Sequence, residues 1–163
     1  MQNYGQSLTE IKNQIVRKII NNVGIVKALI IPDKDFLDVI PTLEQNIILN
    51  NPDVLIRQQI MLTNNITAKT NKDLPYITSM YVDFKKTSLT YQSGLVYFYI
   101  IIPNSLEISD YGIRYDYIGD ELDKIFSDRG IGKFEFVKRS DMPIDENFIG
   151  HYIVFKILDF SSW

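Results

Sequence analysis

Between Leu95 and Ile102 the chain runs Leu-Val-Tyr-Phe-Tyr-Ile-Ile-Ile with no charged residue, and Pro103 stops it. The run is too short to cross a bilayer, and its β-branched and aromatic side chains favour a strand over a helix. A continuous apolar strand is read as buried on both faces, so it belongs in the middle of a sheet. The flanking elements must then supply the covers.

Ser7-Leu8-Thr9-Glu10 has the form of a capping box, in which the serine oxygen and the glutamate carboxylate each satisfy an orphan amide. Leu8, Ile11, Ile15, Ile19 and Val23 recur at helical spacing, widened by Val16 and Ile20, and Gly24 is placed to close the end. A helix is expected over about 8–23. From 25 to 52 no period holds, and this stretch is expected to be irregular. Within it, Asp33 can cap one turn, and Thr42-Leu43-Glu44-Gln45 resembles a second capping box. Val54, Ile56, Ile60 and Leu62 alternate as in a half-buried strand over about 54–63. Residues 64–75 are polar, with few apolar anchors, and predict a mobile loop that orders against a partner.

Strands are expected over about 76–85, where Met80, Val82 and Phe84 alternate with polar neighbours, and at the central run, 95–102. Ser109-Asp110 can cap a helix over about 110–127, carried by Tyr115, Ile118, Leu122, Ile125 and Phe126. Strands follow at about 131–138, with Phe134 and Phe136 inward, and at about 148–160; residues 139–147 read as the loop between them. The order predicts one α+β domain in two layers, a mainly antiparallel sheet of about four to five strands with helices packed on one face. One helical layer leaves the far side of Tyr97, Tyr99 and Ile101 in need of a cover, which a neighbouring subunit can supply.

Composition narrows the chemistry. The 163 residues include no cysteine, so disulfides, thiolate metal sites and cysteine nucleophiles are excluded. A net charge of −3 argues against a general nucleic-acid binder. Met1 to Gln6 lacks the charged and apolar regions of a secretion signal, and no apolar stretch is long enough for a membrane span, so synthesis in the cytosol and no membrane partner are expected.

His151 is the single histidine, which leaves a multi-histidine metal site or a Ser-His-Asp triad without partners. Gly130-Ile131-Gly132 lacks a third glycine and lies between a helix and a strand, the reverse of a phosphate-cradling order. Asp116, Asp120 and Asp123 have the spacing of any solvated helix face. A metal-dependent nuclease would place an acid and a lysine on one strand face. Glu135 and Lys138 are three apart, and the two-residue strand period sends them to opposite faces unless a bulge intervenes. Glu135 and Lys133 share a face in reversed order. No catalytic, cofactor or metal site is therefore expected.

From Leu95 to Trp163 the chain presents an aromatic strand, a break at Pro103, a helix with Arg114 and Leu122-Asp123-Lys124-Ile125-Phe126, a glycine-rich turn into Phe134-Glu135-Phe136, and a last strand from Gly150 to Ile157. With the preceding helix and hairpin, this order resembles the tail-terminator and head-to-tail connector (neck) proteins of tailed bacteriophages. The resemblance implies a non-enzymatic structural virion protein, a subunit of a homo-oligomeric ring joining portal and tail. Its implied partners are portal, neck or tail-tube proteins, with non-specific contact to DNA in a lumen.

Tyrosine and tryptophan are common interface anchors. The candidate contact residues are Tyr97 and Tyr99 on the central strand, Lys69 and Lys72 in the loop, and Trp163 at the terminus. The alternatives are a small cytosolic metal-dependent nuclease and an adaptor domain that binds a protein partner without forming rings.

Overall fold

The apolar run forms the middle of β3 (Gln92–Pro103), which pairs antiparallel with β2 (Tyr76–Lys86) on one side and β7 (Phe148–Ile157) on the other. The structure is a computed structural model and describes residues 8–61, 73–86, 92–127 and 134–157. The remaining elements are α1 (Leu8–Ile20), α2 (Val23–Ile30), α3 (Leu43–Asn50), β1 (Ile60–Met61), β4 (Ile108–Ser109), β5 (Gly112–Ile113), α4 (Arg114–Ser127) and β6 (Phe134–Pro143), with 3-10 turns at Pro52–Leu55 and Asn104–Leu106. The main sheet has the order β1-β2-β3-β7-β6, with β1 parallel to β2 and every other pair antiparallel. This is the α+β arrangement that the element order predicts.

Burial along β3 alternates, which corrects the expectation of a strand sealed on both faces throughout. Val96, Phe98 and Ile100 are fully buried, whereas Leu95, Tyr97 and Tyr99 are half-buried; only from Ile100 to Pro103 is the strand closed on both sides. The sealed side lies under the helices. Phe126 of α4 stacks on Phe98 at 5.1 Å between ring centroids and tilts against Phe155 at 5.7 Å. Ile118 and Leu122 of α4 and Ile11, Ile15 and Ile19 of α1 complete this core. Each such side chain contributes about 1.5–3 kcal/mol by leaving water.

Five expectations are corrected. The first helix ends at Ile20, because Asn22 starts a new one by accepting a hydrogen bond from Ile25 N at 2.9 Å. The stretch read as irregular from 25 to 52 holds α2 and α3. Ile25, Val26, Ala28, Leu29 and Ile30 are all buried, and a helix apolar on every side shows no amphipathic period. In α3 the capping box forms as its residues suggest: Gln45 N donates to Thr42 Oγ1 at 3.2 Å, and Thr42 N to Gln45 Oε1 at 2.9 Å.

The expected strand over 54–63 is mostly a turn. Pro52 begins the 3-10 segment, and Arg57 adopts a φ of 70° as the chain folds back for its N to donate to Ile60 O at 2.8 Å. Ile60 and Met61 then pair with β2, and residues 62–63 lie outside the described residues, as do 64–72 of the expected loop. Before α4, Ser109 does not cap the helix. Its Oγ donates to Gly112 O at 2.8 Å and accepts from Tyr111 N at 3.2 Å, closing the β4–β5 hairpin where Gly112 takes a φ of 94°. Last, β6 continues to Pro143, so most of the expected 139–147 loop is strand. Phe134 and Phe136 both face the helical side, as expected; Phe134 packs on the core, and Phe136 lies opposite the buried Phe155 with its ring edge-on to it but half exposed on the outermost strand.

Arg114 locks the helical layer together. It is fully buried, and its guanidinium donates to five backbone carbonyls: Leu106 O, Ala28 O, Ile31 O, Pro32 O and Asp33 O, at 2.9–3.3 Å. Ala28 O lies in the last turn of α2, where helical carbonyls lack internal donors and favour a cation, and three further acceptors follow the helix end. The guanidinium carbon also sits 4.6 Å from the centroid of the Phe36 ring. Burial pulls the Arg114 pKa down to about 10, with Asp33 acting in the opposite direction.

Candidate oligomerisation surface

The side of the sheet away from the helices carries a group of three tyrosines. Tyr97 and Tyr99 are two apart on β3 and so point the same way, and Tyr152 of β7 is the register partner of Tyr99. Their ring centroids are 6.1 Å apart for Tyr97 and Tyr99, 6.4 Å for Tyr97 and Tyr152, and 6.3 Å for Tyr99 and Tyr152. Lys138 of β6 places its ammonium 5.9 Å from the Tyr152 centroid. On the other flank Met80, opposite Tyr97, is also half-buried.

Burial raises the Tyr99 pKa above its ordinary value, and the neighbouring Tyr97 and Tyr152 add to the effect. Toward the Pro103 end the same face closes, with Ile101, Tyr76 and Gly150 buried and the Ile144 side chain against Gly150. Among the described residues the tyrosine group, with Met80 and Leu95 beside it, is therefore a half-buried part of this face, an aromatic surface with a cation at its rim.

Of the five residues expected at a contact surface, the fold brings Tyr97 and Tyr99 together. Lys69, Lys72 and Trp163 lie outside the described residues. Tyr152 and Lys138 were not among the expected contact residues. The signal for them is the pairing register of β7 with β3 and β6, which strand periodicity alone does not supply.

The other chemistry-bearing residues are engaged within the fold. His151 is buried on the helical side, where its ring stacks on Tyr115 with centroids 5.0 Å apart. Its Nε2 accepts from Arg139 Nε at 2.9 Å, and its Nδ1 faces Asp141 Oδ1 at 3.0 Å. Arg139 also pairs with Asp116 at 3.1 Å and Asp120 at 2.7 Å, so both carboxylates already have a cation. Asp123 accepts from Ser127 Oγ at 2.6 Å.

Glu135 and Lys138 depart from the expectation of opposite faces. Val137 is an extra residue in β6, so Glu135 lies opposite Lys156 and Lys138 opposite Val154, two positions on one face of β7. Among the described residues no group of three histidine or acidic side chains is placed to hold a metal.

The model of the YomW family matches residues 22–157, from the cap of α2 to the last residue of β7. The chain belongs to the YomW family. YomW is a phage-associated family, and the match covers the whole described sheet together with the Arg114 clamp and the tyrosine group. A search of curated proteins gave no match.

Proposed function

We propose that this YomW-family chain is a structural virion protein, a ring-forming subunit of the phage neck that acts as a head-tail connector or tail terminator between portal and tail. The observation that supports this reading most is the tyrosine group of Tyr97, Tyr99 and Tyr152. A half-buried aromatic surface on a sheet face that no helix covers among the described residues suits coverage by another subunit. On this reading the protein is not an enzyme and needs no cofactor. Its partners are further copies of itself and portal, neck or tail-tube proteins, and DNA crosses the lumen with non-specific contact at most.

Light scattering across a concentration range tests the reading. A discrete ring-sized species, or a monomer that assembles as concentration rises, supports it; a strict monomer at every concentration counts against self-assembly. Tyr99→Ala should weaken assembly more than it lowers the unfolding midpoint, and equal loss of both would remove the tyrosines from the interface.

A second reading, a metal-dependent nuclease, gains one observation from the fold, because the Val137 bulge brings Glu135 and Lys138 to the same face. DNA cleavage that requires magnesium and disappears in Glu135→Gln would favour it. Absence of cleavage across divalent metals would remove it.

A further inference from the structure

At the margin of the sheet, β6 is tied to the helical layer through a buried ring. Arg139 and Asp141 of β6 and His151 of β7, the register partner of Asp141, share the helical face. The His151 side chain is 5% exposed and is covered by the Tyr115 ring, which stacks on it at an interplanar angle of 8°.

Arg139 reaches two ways. Its Nε donates inward to His151 Nε2, while Nη2 and Nη1 donate to Asp116 and Asp120 on α4. Gly119 stands between those two carboxylates in sequence, and its missing Cβ leaves room for the guanidinium, since a Cβ there would lie 2.9 Å from Nη2. Asp116 and Asp120 are 46% and 62% exposed, so water competes with this outer half of the contact. The bond to the imidazole is the inner, shielded half.

That inner bond exists only for a neutral imidazole. With Nδ1 facing Asp141, Nε2 is the acceptor, and a guanidinium has no acceptor to offer in return. A second ring proton would set N–H against N–H and place two cations side by side, with 2.9 Å between the nitrogens.

The surrounding groups leave one way to relieve this. Asp141 meets Nδ1 and can hold an imidazolium there, but it does not reach Nε2. Burial, then Asp141, Asp116 and Glu107, hold Tyr115 above its ordinary value, so it stays protonated throughout the acid range. β3 brings only the apolar Ile100 opposite His151. A new donor at Nε2 must therefore be met by water, and Arg139 stands in the place that water would take.

We propose that His151 is the sensor of an acid-operated latch. Its protonation expels Arg139 from Nε2, leaves the guanidinium to Asp116 and Asp120 alone, and loosens β6 from α4 while Asp141 retains the imidazolium. The two states differ by one proton taken from water and one hydrogen bond exchanged. β6 is the outermost strand and pairs with β7 alone among the described residues, so the latch acts where the sheet opens most readily.

NMR of the full chain from pH about 8 to about 5 spans imidazole protonation and tests the latch. The ring nitrogens of His151 and the Nε–H of Arg139 are followed together with the hydrogen-exchange protection of the β6 amides, corrected for intrinsic rates. The Arg139 Nε–H should move, and lose protection, at the same midpoint as the ring gains its proton. Protection along β6 should fall about threefold or more, while α1 and β3 keep theirs. His151→Gln retains an acceptor for Arg139 without titrating, so its Arg139 signal should hold throughout. Arg139→Met, which keeps the histidine, should show ring protonation with no change in β6 protection.

A ring that titrates while the Arg139 Nε–H stays in place overturns the latch, as does a ring that gains no proton until the whole fold opens. An Arg139 signal that moves at the same midpoint in His151→Gln overturns it too. If that variant does not fold, Arg139→Met decides: β6 protection that falls as in the wild type removes Arg139 from the device.

Discussion

Arg139 Nε donates to His151 Nε2 at 2.9 Å, and that bond fixes where the imidazole proton sits. Arginine has no acceptor, so Nε2 must offer its lone pair and the proton belongs on Nδ1, facing Asp141 Oδ1. Nitrogen NMR of the neutral protein should show the Nδ1–H tautomer for this single histidine; an Nε2–H signal would refute the bond. Arg139→Met should cost about 1–2 kcal/mol by urea unfolding, because Asp116 and Asp120 are solvent-exposed enough to be partly rehydrated.

Replacing Arg114 carries a larger penalty. Arg114→Met leaves five carbonyls without their donor in a buried cage and should cost at least about 3 kcal/mol. Arg114→Lys keeps a charge but has three donors on a compact head, so it should fall between the two. Urea midpoints in the order wild type, Lys, Met are expected; a Met variant as stable as wild type would show that the cage is not a source of stability.

Alkaline pH should loosen the fold through tyrosine. Burial pushes Tyr81 and Tyr117 up to about 12 from an ordinary value of 10; Glu121 adds to the effect at Tyr117. The Tyr81 hydroxyl lies near Ser79 without a hydrogen bond of good geometry. A folded pKa above the unfolded one contributes stability that is whole below pH 10 and is lost as pH rises to about 12. Ultraviolet titration of the ten tyrosines should therefore show a fraction that ionises late in the native protein and near pH 10 in urea. A single native transition near pH 10 would contradict this.

Two glycines should respond differently to alanine. A Cβ on Gly94 would lie 2.6 Å from the Phe84 ring, which covers that glycine as aromatic side chains often cover glycines in sheets. A Cβ on Gly119 would lie 2.9 Å from Arg139 Nη2, the far end of a flexible side chain. Gly94→Ala should lower stability by about 1–3 kcal/mol, from overpacking, and Gly119→Ala by much less. Equal thermal midpoints for the two variants would show that Phe84 yields freely.

What the sequence made legible was local. The apolar run of β3 and the stripe of Ile118, Leu122 and Phe126 on α4 carry their periods within a few residues, and both elements lie where those periods place them. The α2 helix escaped because it is apolar all round, and β6 was cut short because its polar outer residues, Ser140 and Asp141, resemble a loop.

The surface was half legible for the same reason. Tyr97 and Tyr99 share a face by strand period alone, but Tyr152 joins them only through the pairing of β3 with β7, and the Val137 bulge is a matter of register. The exposed apolar face of α3, with Leu43 and Ile47, escaped because the stretch from 25 to 52 was read as irregular and no helical face was assigned within it.

The pairing of β3 with β7 also sets a timetable. Ile101 meets Gly150 and Gly94 meets Ile157, so the central strand acquires one of its two neighbours from a segment that the ribosome delivers much later. Until β7 emerges, β3 is an edge with half its backbone groups unpaired, and the β6 margin has nothing to pair with. A nascent chain is thus unable to present the finished sheet. Any contact that uses the completed sheet must wait for translation to pass β7.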